Sequence, residues 1–430
     1  MGKNMIRVGL LGMGTVGSGV FEILKMNEEQ VRSRAGAGIE VKKVLVRDLE
    51  KERPVKIDRK LLTTDPEEVL KDPEIDVIVE VIGGTGVSRQ YVEEALRNKK
   101  FVITANKDLM ATAGAELLLL ARKHNRNIYY EASVGGGIPL IRPLKHSLGA
   151  NKIIRLMGIV NGTTNYILTK MSMENMDFET ALAEAQDKGF AEQDPSNDLE
   201  GKDAAYKLCI LAGLAFSSHV RFADVYTQGI NNISKRDIFY ARELGFAIKL
   251  LAIGEENEKG LALKVHPTLI PLSHPLAAVH YENNALFVVG NAVGETMFYG
   301  LGAGALPTGS SVVADLIDVA RNINHQVENG IMETEFKTKK IVPTEELFSA
   351  FYLRLQAVDK PGAFANLATA FGDEHVSLDM ILQKRSVEGL AEIVLVTHAV
   401  EEKRFAQALK TIKGFPAIKK INSVLRVFEK

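Results

Sequence analysis

The chain is nearly without cysteine: Cys209 is the single one in 430 residues. No disulfide framework is possible, and a reducing compartment such as the cytoplasm fits. Net charge is also nearly absent, with 53 basic against 54 acidic side chains. Nothing therefore draws the chain to a polyanion, and no nucleic-acid partner is expected. Long apolar runs are missing too. Stretches such as Leu117–Ala121 are too short to span a bilayer, so no membrane association is expected. The first residues, Met1-Gly-Lys-Asn-Met-Ile-Arg-Val8, read as a polar lead into a strand rather than a signal peptide. No serine or threonine occupies the myristoylation position after Gly2. What remains is an ordinary globular composition, 46% hydrophobic and 25% charged. The length suits two to three domains.

The chain opens on strand, glycine loop, helix. Ile6–Leu11 reads as a buried parallel strand, and Gly12-Met13-Gly14-Thr15-Val16-Gly17 follows it. A helix then carries Val20, Phe21, Ile23 and Leu24 at helical spacing. In a G-x-G-x-x-G turn the first glycine permits the tight turn. The second lets a pyrophosphate approach the backbone, and the third lets helix and strand pack closely. The helix N-terminus offers N–H donors to the anion. This predicts dinucleotide binding; the plain alternative is a glycine-rich turn in another α/β fold. A second strand, Ile39–Val46, ends at Arg47-Asp48, where an arginine admits a 2′-phosphate and an acid binds ribose hydroxyls. Arg47, with Lys51, Arg53 and Lys56 nearby, leans to NADP, while Asp48 keeps NAD possible. Asp76–Ile82 is a further strand before Gly83-Gly-Thr-Gly86; a helix near 88–98 leads to the strand Phe101–Thr104. Lys107 follows that strand's carboxyl end, where α/β sheets hold ligands. It is a candidate contact to cofactor or substrate, or a surface lysine after a helix-capping Asn106. Asn127–Pro139 reads as a strand breaking into a glycine loop, where Glu131 and backbone carbonyls would hold a hard cation or simply form a tight turn.

The densest chemistry lies between Gly189 and Lys207. Glu192, Asp194, Asp198, Asp203 and Lys207 precede or open a helix whose continuation, Leu208–Phe216, has no polar face. Asp203 and Lys207 are one turn apart and share a face. A helix apolar all round is buried, so its charged first turn is expected to point into a cleft as a proton-transfer pair. The alternative is a helix-start ion pair. Ile153–Val160 reads as a strand, Asn161-Gly-Thr-Thr-Asn165 begins a helix, and Phe178–Lys188 is another. Up to about Gly300 the pattern mixes helices with short strands, and His266, His274 and His280 lack ligand spacing. Gly300–Asp315 is a glycine loop entering an apolar helix, and a charged linker spans Glu333–Lys340. From Phe351 a strand, a Lys360-Pro-Gly362 turn and a helix are followed by strands near 377–383 and 392–397, a helix near 402–412 and a strand near 421–427. That βαββαβ order is a separate ferredoxin-like module.

Taken together, the chain resembles homoserine dehydrogenase with a C-terminal ACT domain. The resemblance is carried by Gly12–Gly17, Thr104–Lys107, Glu131–Pro139, Asn161–Asn165, Glu192–Lys207, Gly302-Ala-Gly304 through Asp315, and Asp359–Gly362. It implies an α/β fold in three parts. Residues 1–135 form an NAD(P)-binding Rossmann domain completed by about 302–330, and 136–301 an α+β catalytic and dimerisation domain. Residues 331–349 form a linker, and 350–430 an ACT regulatory domain. The implied activity is reversible NAD(P)H-dependent reduction of L-aspartate 4-semialdehyde to L-homoserine, in threonine and methionine biosynthesis.

The resemblance also implies residue roles. Lys207 is the proton donor, Asp203 orients the substrate, and Lys107 lies at nicotinamide and substrate. Glu192 binds the substrate amino group and Asp198 joins the substrate set. Gly12, Met13, Gly14, Thr15, Val16, Gly17, Arg47, Lys107 and Gly302 serve the cofactor. Glu131 with the backbone of Val134, Gly136 and Ile138 holds a sodium ion. A homodimer or homotetramer and a threonine effector complete the picture. Because every implied site residue precedes the tail, removal of everything after about Pro343 is expected to spare catalysis. Two other classes compete. A semialdehyde dehydrogenase forming an acyl phosphate needs a cysteine nucleophile, and Cys209 sits in an apolar helix. A non-catalytic nucleotide sensor would not need Glu192, Asp203 and Lys207 together.

Overall fold

The structure is a computed structural model describing residues 3–327, 336–383 and 389–428. It packs as two units. The first holds Met1–Ile153, Tyr206–Ala223 and Asn284–Thr338, and the second holds Ile154–Ala205, Asp224–Asn283 and Lys339–Lys430.

In the first unit, β1 (Met5–Leu11), β2 (Gly38–Leu45), β3 (Leu62–Thr63), β4 (Val77–Glu80), β5 (Phe101–Thr104) and β6 (Ile128–Tyr129) form a parallel sheet. Its order, β3-β2-β1-β4-β5-β6, is that of a dinucleotide-binding doubly wound fold. The central strands β4 and β5 open on apolar runs, Val77–Val79 and Phe101–Ile103, because helices cover both faces. These are α1 (Thr15–Met26), α2 (Glu28–Ala35), α3 (Glu67–Leu70), α4 (Val87–Arg97) and α5 (Lys107–Lys123).

The second unit begins with β7 (Ile153–Ile159), α6 (Gly162–Met173), α7 (Phe178–Asp187), α8 (Ser196–Leu199) and the start of α9 (Lys202–Phe216). It continues with β8 (Tyr226–Thr227), α10 (Lys235–Glu243), β9 (Phe246–Asn257) and β10 (Gly260–Pro271). β9 and β10 are twelve-residue partners, paired from Gly260↔Asn257 to Pro271↔Phe246. These are longer than the short strands expected here. Pro267 ordinarily argues against a central strand. Here it falls between the Lys264–Val265 pairing to β8 and the Thr268–Leu269 pairing that follows, where the ladder on that side needs no N–H.

The chain then returns to the first unit with β11 (Asn283–Gly290), β12 (Gly294–Leu301) and α11 (Ala305–Asn324). Val312, Val313, Leu316 and Val319 of α11 share one core with Val8, Leu10, Val20 and Ile23. α11 crosses α1 at two glycines. A Cβ on Gly19 would meet the Ala305 carbonyl oxygen at 1.9 Å, and one on Gly309 would meet the Gly19 carbonyl carbon at 2.7 Å.

The tail adds β13 (Phe348–Val358), α12 (Ala363–Asp373), β14 (Leu378–Gln383), β15 (Leu390–Thr397), β16 (Val400–Glu401), α13 (Glu402–Lys413) and β17 (Ile418–Val427). Strand order β17-β13-β15-β14 is ferredoxin-like. One face packs on its own helices, with Phe351 stacked on Phe405 at 3.8 Å between ring centroids. The module is not detached, however. β17 pairs in parallel with β10 through Thr268↔Arg426 and Leu269↔Val427. On the opposite face, buried Arg354 donates to Asp237 of α10 (Nε–Oδ1 2.8 Å) and to Glu392 (2.9 Å). The linker's Glu333–Glu335 lies outside the described residues; beyond it, Ile341 bridges Leu261 at the start of β10. Among the described residues, no helix is long and apolar enough to cross a membrane.

Candidate functional site

In the first unit the glycine cradle lies at the carboxyl edge of the parallel sheet. Gly12 takes φ +103°, and a Cβ on it would meet the Val81 carbonyl oxygen at 3.0 Å. A Cβ on Gly17 would lie 2.3 Å from the Gly12 carbonyl oxygen. Gly14 meets nothing within 4 Å and caps α1 without a side-chain bond. A turn, an open approach and a close packing contact are thus distributed as the motif requires, and this cradle fits a pyrophosphate. It opens on a cavity of about 850 Å³ lined by Gly12, Met13, Gly14, Thr15, Arg47 and Lys51, among others. Val16 is half-buried on the first turn of α1. Arg47 is exposed at the end of β2. Arg53 is engaged elsewhere, donating to the carbonyls of Asp48 and of Lys51 (2.7 Å).

Lys107 is the half-buried first residue of α5. Asn106 caps that helix, accepting from the Leu109 N–H (3.1 Å) and donating to the Gly84 carbonyl (2.7 Å). Asn106 is therefore a helix cap, and the lysine that follows it is half-buried rather than on the open surface. Glu80, which no motif marks, is fully buried at the end of β4. Its carboxylate accepts from the N–H groups of Ile82 (2.9 Å) and Gly83 (3.1 Å) and from the Thr104 hydroxyl (2.6 Å). It fixes the two loops that flank the cavity and Lys107. The visible signal was an acid ending the apolar run Val77-Ile-Val-Glu80.

The glycine loop after β6 is also built from the backbone up. Gly135 and Gly136 take φ +76° and +54°. A Cβ on Gly136 would meet the Gly302 carbonyl oxygen at 2.4 Å, and one on Gly302 would meet Asn284 Nδ2 at 2.1 Å. Val134 and Ile138 are buried beside them. The Glu131 carboxylate accepts from the N–H groups of Leu140 (2.5 Å), Ile141 (2.8 Å) and Arg142 (2.8 Å). Oε1 carries two of these donors, so the Glu131 carboxylate anchors the turn that follows the glycine loop. Among the described residues, no cluster of three or more His, Cys, Asp or Glu side chains suits a metal ion. Nearby Asp315 is fully buried against Arg142 (2.6 Å). Burial pushes its carboxyl up to about 7, against the pull of Arg142.

In the second unit, Asp198 lies on α8 and Asp203 in the first turn of α9. One amide draws them together. Asn161 Nδ2 donates to Asp198 Oδ1 (2.7 Å) and to Asp203 Oδ2 (2.8 Å). Asn161 Oδ1 caps α6, accepting from the Thr164 N–H (2.9 Å) and hydroxyl (2.9 Å). Thr163 donates to the Phe190 carbonyl (2.6 Å), tying the same helix start to the segment that carries Glu192. Glu192 itself is exposed, with its carbonyl accepting from Gln186 (3.1 Å). Lys207 is half-buried one turn beyond Asp203 on α9, and Cys209 is buried in the same helix. One turn along α6, Asn165 donates to the carbonyls of Tyr281 (2.8 Å) and Asn283 (3.1 Å) and accepts from Lys249 Nζ (3.0 Å). Burial drives Lys249 down to about 7.

Comparison with known proteins resolves the class. The homoserine dehydrogenase family model matches residues 139–317, the homoserine dehydrogenase NAD-binding model 12–131, and the ACT model 351–417. The homoserine dehydrogenases of Bacillus subtilis and Synechocystis are each 45% identical, over 98% of this chain and 98% and 99% of their own lengths. A homoserine dehydrogenase structure from Thiobacillus denitrificans superposes with a TM-score of 0.93 at 41% identity, covering all of this chain and 99% of that one. A hyperthermophilic archaeal homoserine dehydrogenase solved with NADPH gives a TM-score of 0.61 at 26% identity, over 73% of this chain and 97% of its own. With its nucleotide cradle, converging aspartates and ACT module, the chain belongs to the homoserine dehydrogenase family, NAD(P)-dependent oxidoreductases acting on a CH–OH group.

Proposed function

We propose that Lys207, Asp203, Asp198, Glu192 and Lys107 carry the interconversion of L-aspartate 4-semialdehyde and L-homoserine in this chain. The observation that carries the reading is the convergence of Asp198 and Asp203 on Asn161, one turn before Lys207 on α9. The bound nicotinamide nucleotide supplies or accepts the hydride. Reduction of an aldehyde leaves an alkoxide that needs a proton and nearby positive charge. Lys207 gives that proton, and takes it back in the reverse direction. Asp203 orients the substrate, Asp198 and Glu192 provide carboxylates for its ammonium, and Lys107 adds positive charge from the nucleotide edge.

The cofactor we assign is NADP, held by Gly12, Met13, Gly14, Thr15, Val16, Gly17, Arg47 and Gly302. The support is the Arg47 and Lys51 lining of the cavity, together with the NADPH bound by the archaeal relative. A sodium ion at the glycine loop would be held by Glu131 together with the backbone carbonyls of Val134, Gly136 and Ile138. The functional division is residues 1–135 with about 302–330 for nucleotide, 136–301 for catalysis and dimerisation, and 350–430 for regulation by threonine. The enzyme works in the cytoplasm as a homodimer or homotetramer, serving threonine and methionine synthesis.

Steady-state kinetics test the core of this. Lys207→Ala should lower turnover by roughly 10²–10⁴, the usual share of a positioned acid–base group, with the fold retained. Near-normal turnover in that variant ends the proton-donor assignment.

A further inference from the structure

Asn161 has no part in the proposed chemistry, yet it has no spare polar atom. Both amide hydrogens go to carboxylates, Asp198 at 2.7 Å and Asp203 at 2.8 Å. The amide oxygen takes both the N–H and the hydroxyl of Thr164. Four hydrogen bonds therefore fix which way the amide faces, and neither oxygen nor nitrogen can turn without losing two of them. The side chain is buried, as is Asp203, while Asp198 is half-buried. Two carboxylates converging on one nitrogen repel each other. A neutral group with two donors holds both without adding charge, and hydrogen bonds to ionised acceptors are the strong ones.

We infer that Asn161 is the positioning residue of the substrate site: it sets the separation of Asp198 and Asp203 and fixes both to the start of α6. The inference rests on the reading of those two aspartates as substrate-site carboxylates. Capping α6 alone does not require asparagine. Serine and aspartate cap as well, because only an acceptor oxygen is needed there. What neither can supply is a pair of N–H donors. Serine offers one O–H and reaches one carboxylate. Aspartate offers no donor and sets a third negative charge against the other two. The structural context keeps the distinction clean, since Asn165, one turn further, anchors α6 independently through the carbonyls of Tyr281 and Asn283.

The test compares full-length Asn161→Ser and Asn161→Asp with Asp198→Asn and Asp203→Asn, each titrated with homoserine and with NADP⁺. Both Asn161 variants keep the cap, so the serine variant should melt close to the parent. We expect kcat/KM for homoserine to fall about tenfold in Asn161→Ser and further in Asn161→Asp. KM for NADP⁺ should stay within about twofold of the parent in both. If homoserine kcat/KM stays parental in both while Asp203→Asn loses about tenfold or more, Asn161 is a helix cap and the inference is overturned. The same follows if KM for NADP⁺ rises as much as KM for homoserine, which marks a general loss of structure. If Asp198→Asn and Asp203→Asn also keep parental kinetics, the substrate-site reading itself fails, a result distinct from the first. Should Asn161→Asp not fold, the neutral serine variant decides alone.

Discussion

On the proposed reading, Arg47 decides between the two nicotinamide cofactors. It is exposed at the end of β2 and lines the nucleotide cavity, while its neighbour Arg53 is consumed by the loop's own carbonyls. Arg47→Ala should raise KM for NADPH about tenfold or more and leave KM for NADH within about twofold, because only one cofactor carries the 2′-phosphate. Equal changes for both would show that Arg47 does not read that phosphate. Asp315 makes a second test at this scale. Its folded-state carboxyl is pushed up to about 7 from an ordinary value of 3.8. A raised value means the folded state holds the proton more tightly, so the stability it contributes is full below about pH 4 and is lost as pH climbs through 7. Parent and Asp315→Asn should therefore diverge: the parent's melting temperature relative to the variant falls between about pH 4 and pH 7 and levels off above that. A difference independent of pH refutes the assignment. Residues differed in how legible they were. Gly12, Gly14 and Gly17 were readable because each answers a separate steric demand of one local motif. Glu80 and Asn161 were not, because their partners Thr104 and Asp203 lie 24 and 42 positions away, and spacing along a chain carries no side-chain pairing.

Helix α1 presents the nucleotide loop at its first turn, and α11 fixes where α1 sits. The crossing at Gly19 and Gly309 leaves no room for a methyl group. Gly19→Ala must push the helices apart, at a cost of about 1–3 kcal/mol. A lower melting temperature and a raised KM for NADPH should appear together. Gly14→Ala is the contrast, since its methyl meets nothing within 4 Å. It should leave the melting temperature alone while obstructing the pyrophosphate. Parallel losses of stability in both variants would show that the crossing is not the sensitive point. Most elements were visible in the sequence at this scale. Predicted Ile6–Leu11, Phe101–Thr104 and Phe178–Lys188 match β1, β5 and α7 to within a residue. β9 and β10 were underestimated because Pro267 and the polar ends of both strands mask a pairing that spans all twelve residues. A proline is tolerated only where the neighbouring strand changes, and that change is a tertiary fact.

For the whole molecule, the tail is the element whose independence was overstated. Its order of strands and helices was legible, since each hairpin and helix has local punctuation. Its attachment was not, because the Thr268–Arg426 and Leu269–Val427 pairs join distant parts of the chain. Cutting after Pro343 removes β17 from β10 and takes Arg354 away from fully buried Asp237. The truncated enzyme should therefore lose stability, contrary to a clean excision. A milder probe is Arg354→Ala in the full chain. Breaking a buried ion pair on one side typically costs about 3–5 kcal/mol, so the melting temperature should fall sharply. A parental melting temperature would show that the face between α10 and β13 contributes little.

The shared core of α1 and α11 has a consequence for how this protein is born. Ribosomes extend a chain at about 5–20 residues per second, so α11 follows α1 out of the tunnel after roughly 15–60 s. Through that interval Val20 and Ile23 wait for Val312 and Leu316. Nascent chains stalled before Ala305 should be cut readily by protease within their first 135 residues, and chains stalled well past Asn324 should resist. The nucleotide-binding core is thus completed only once α11 has been made, long after the strands it covers.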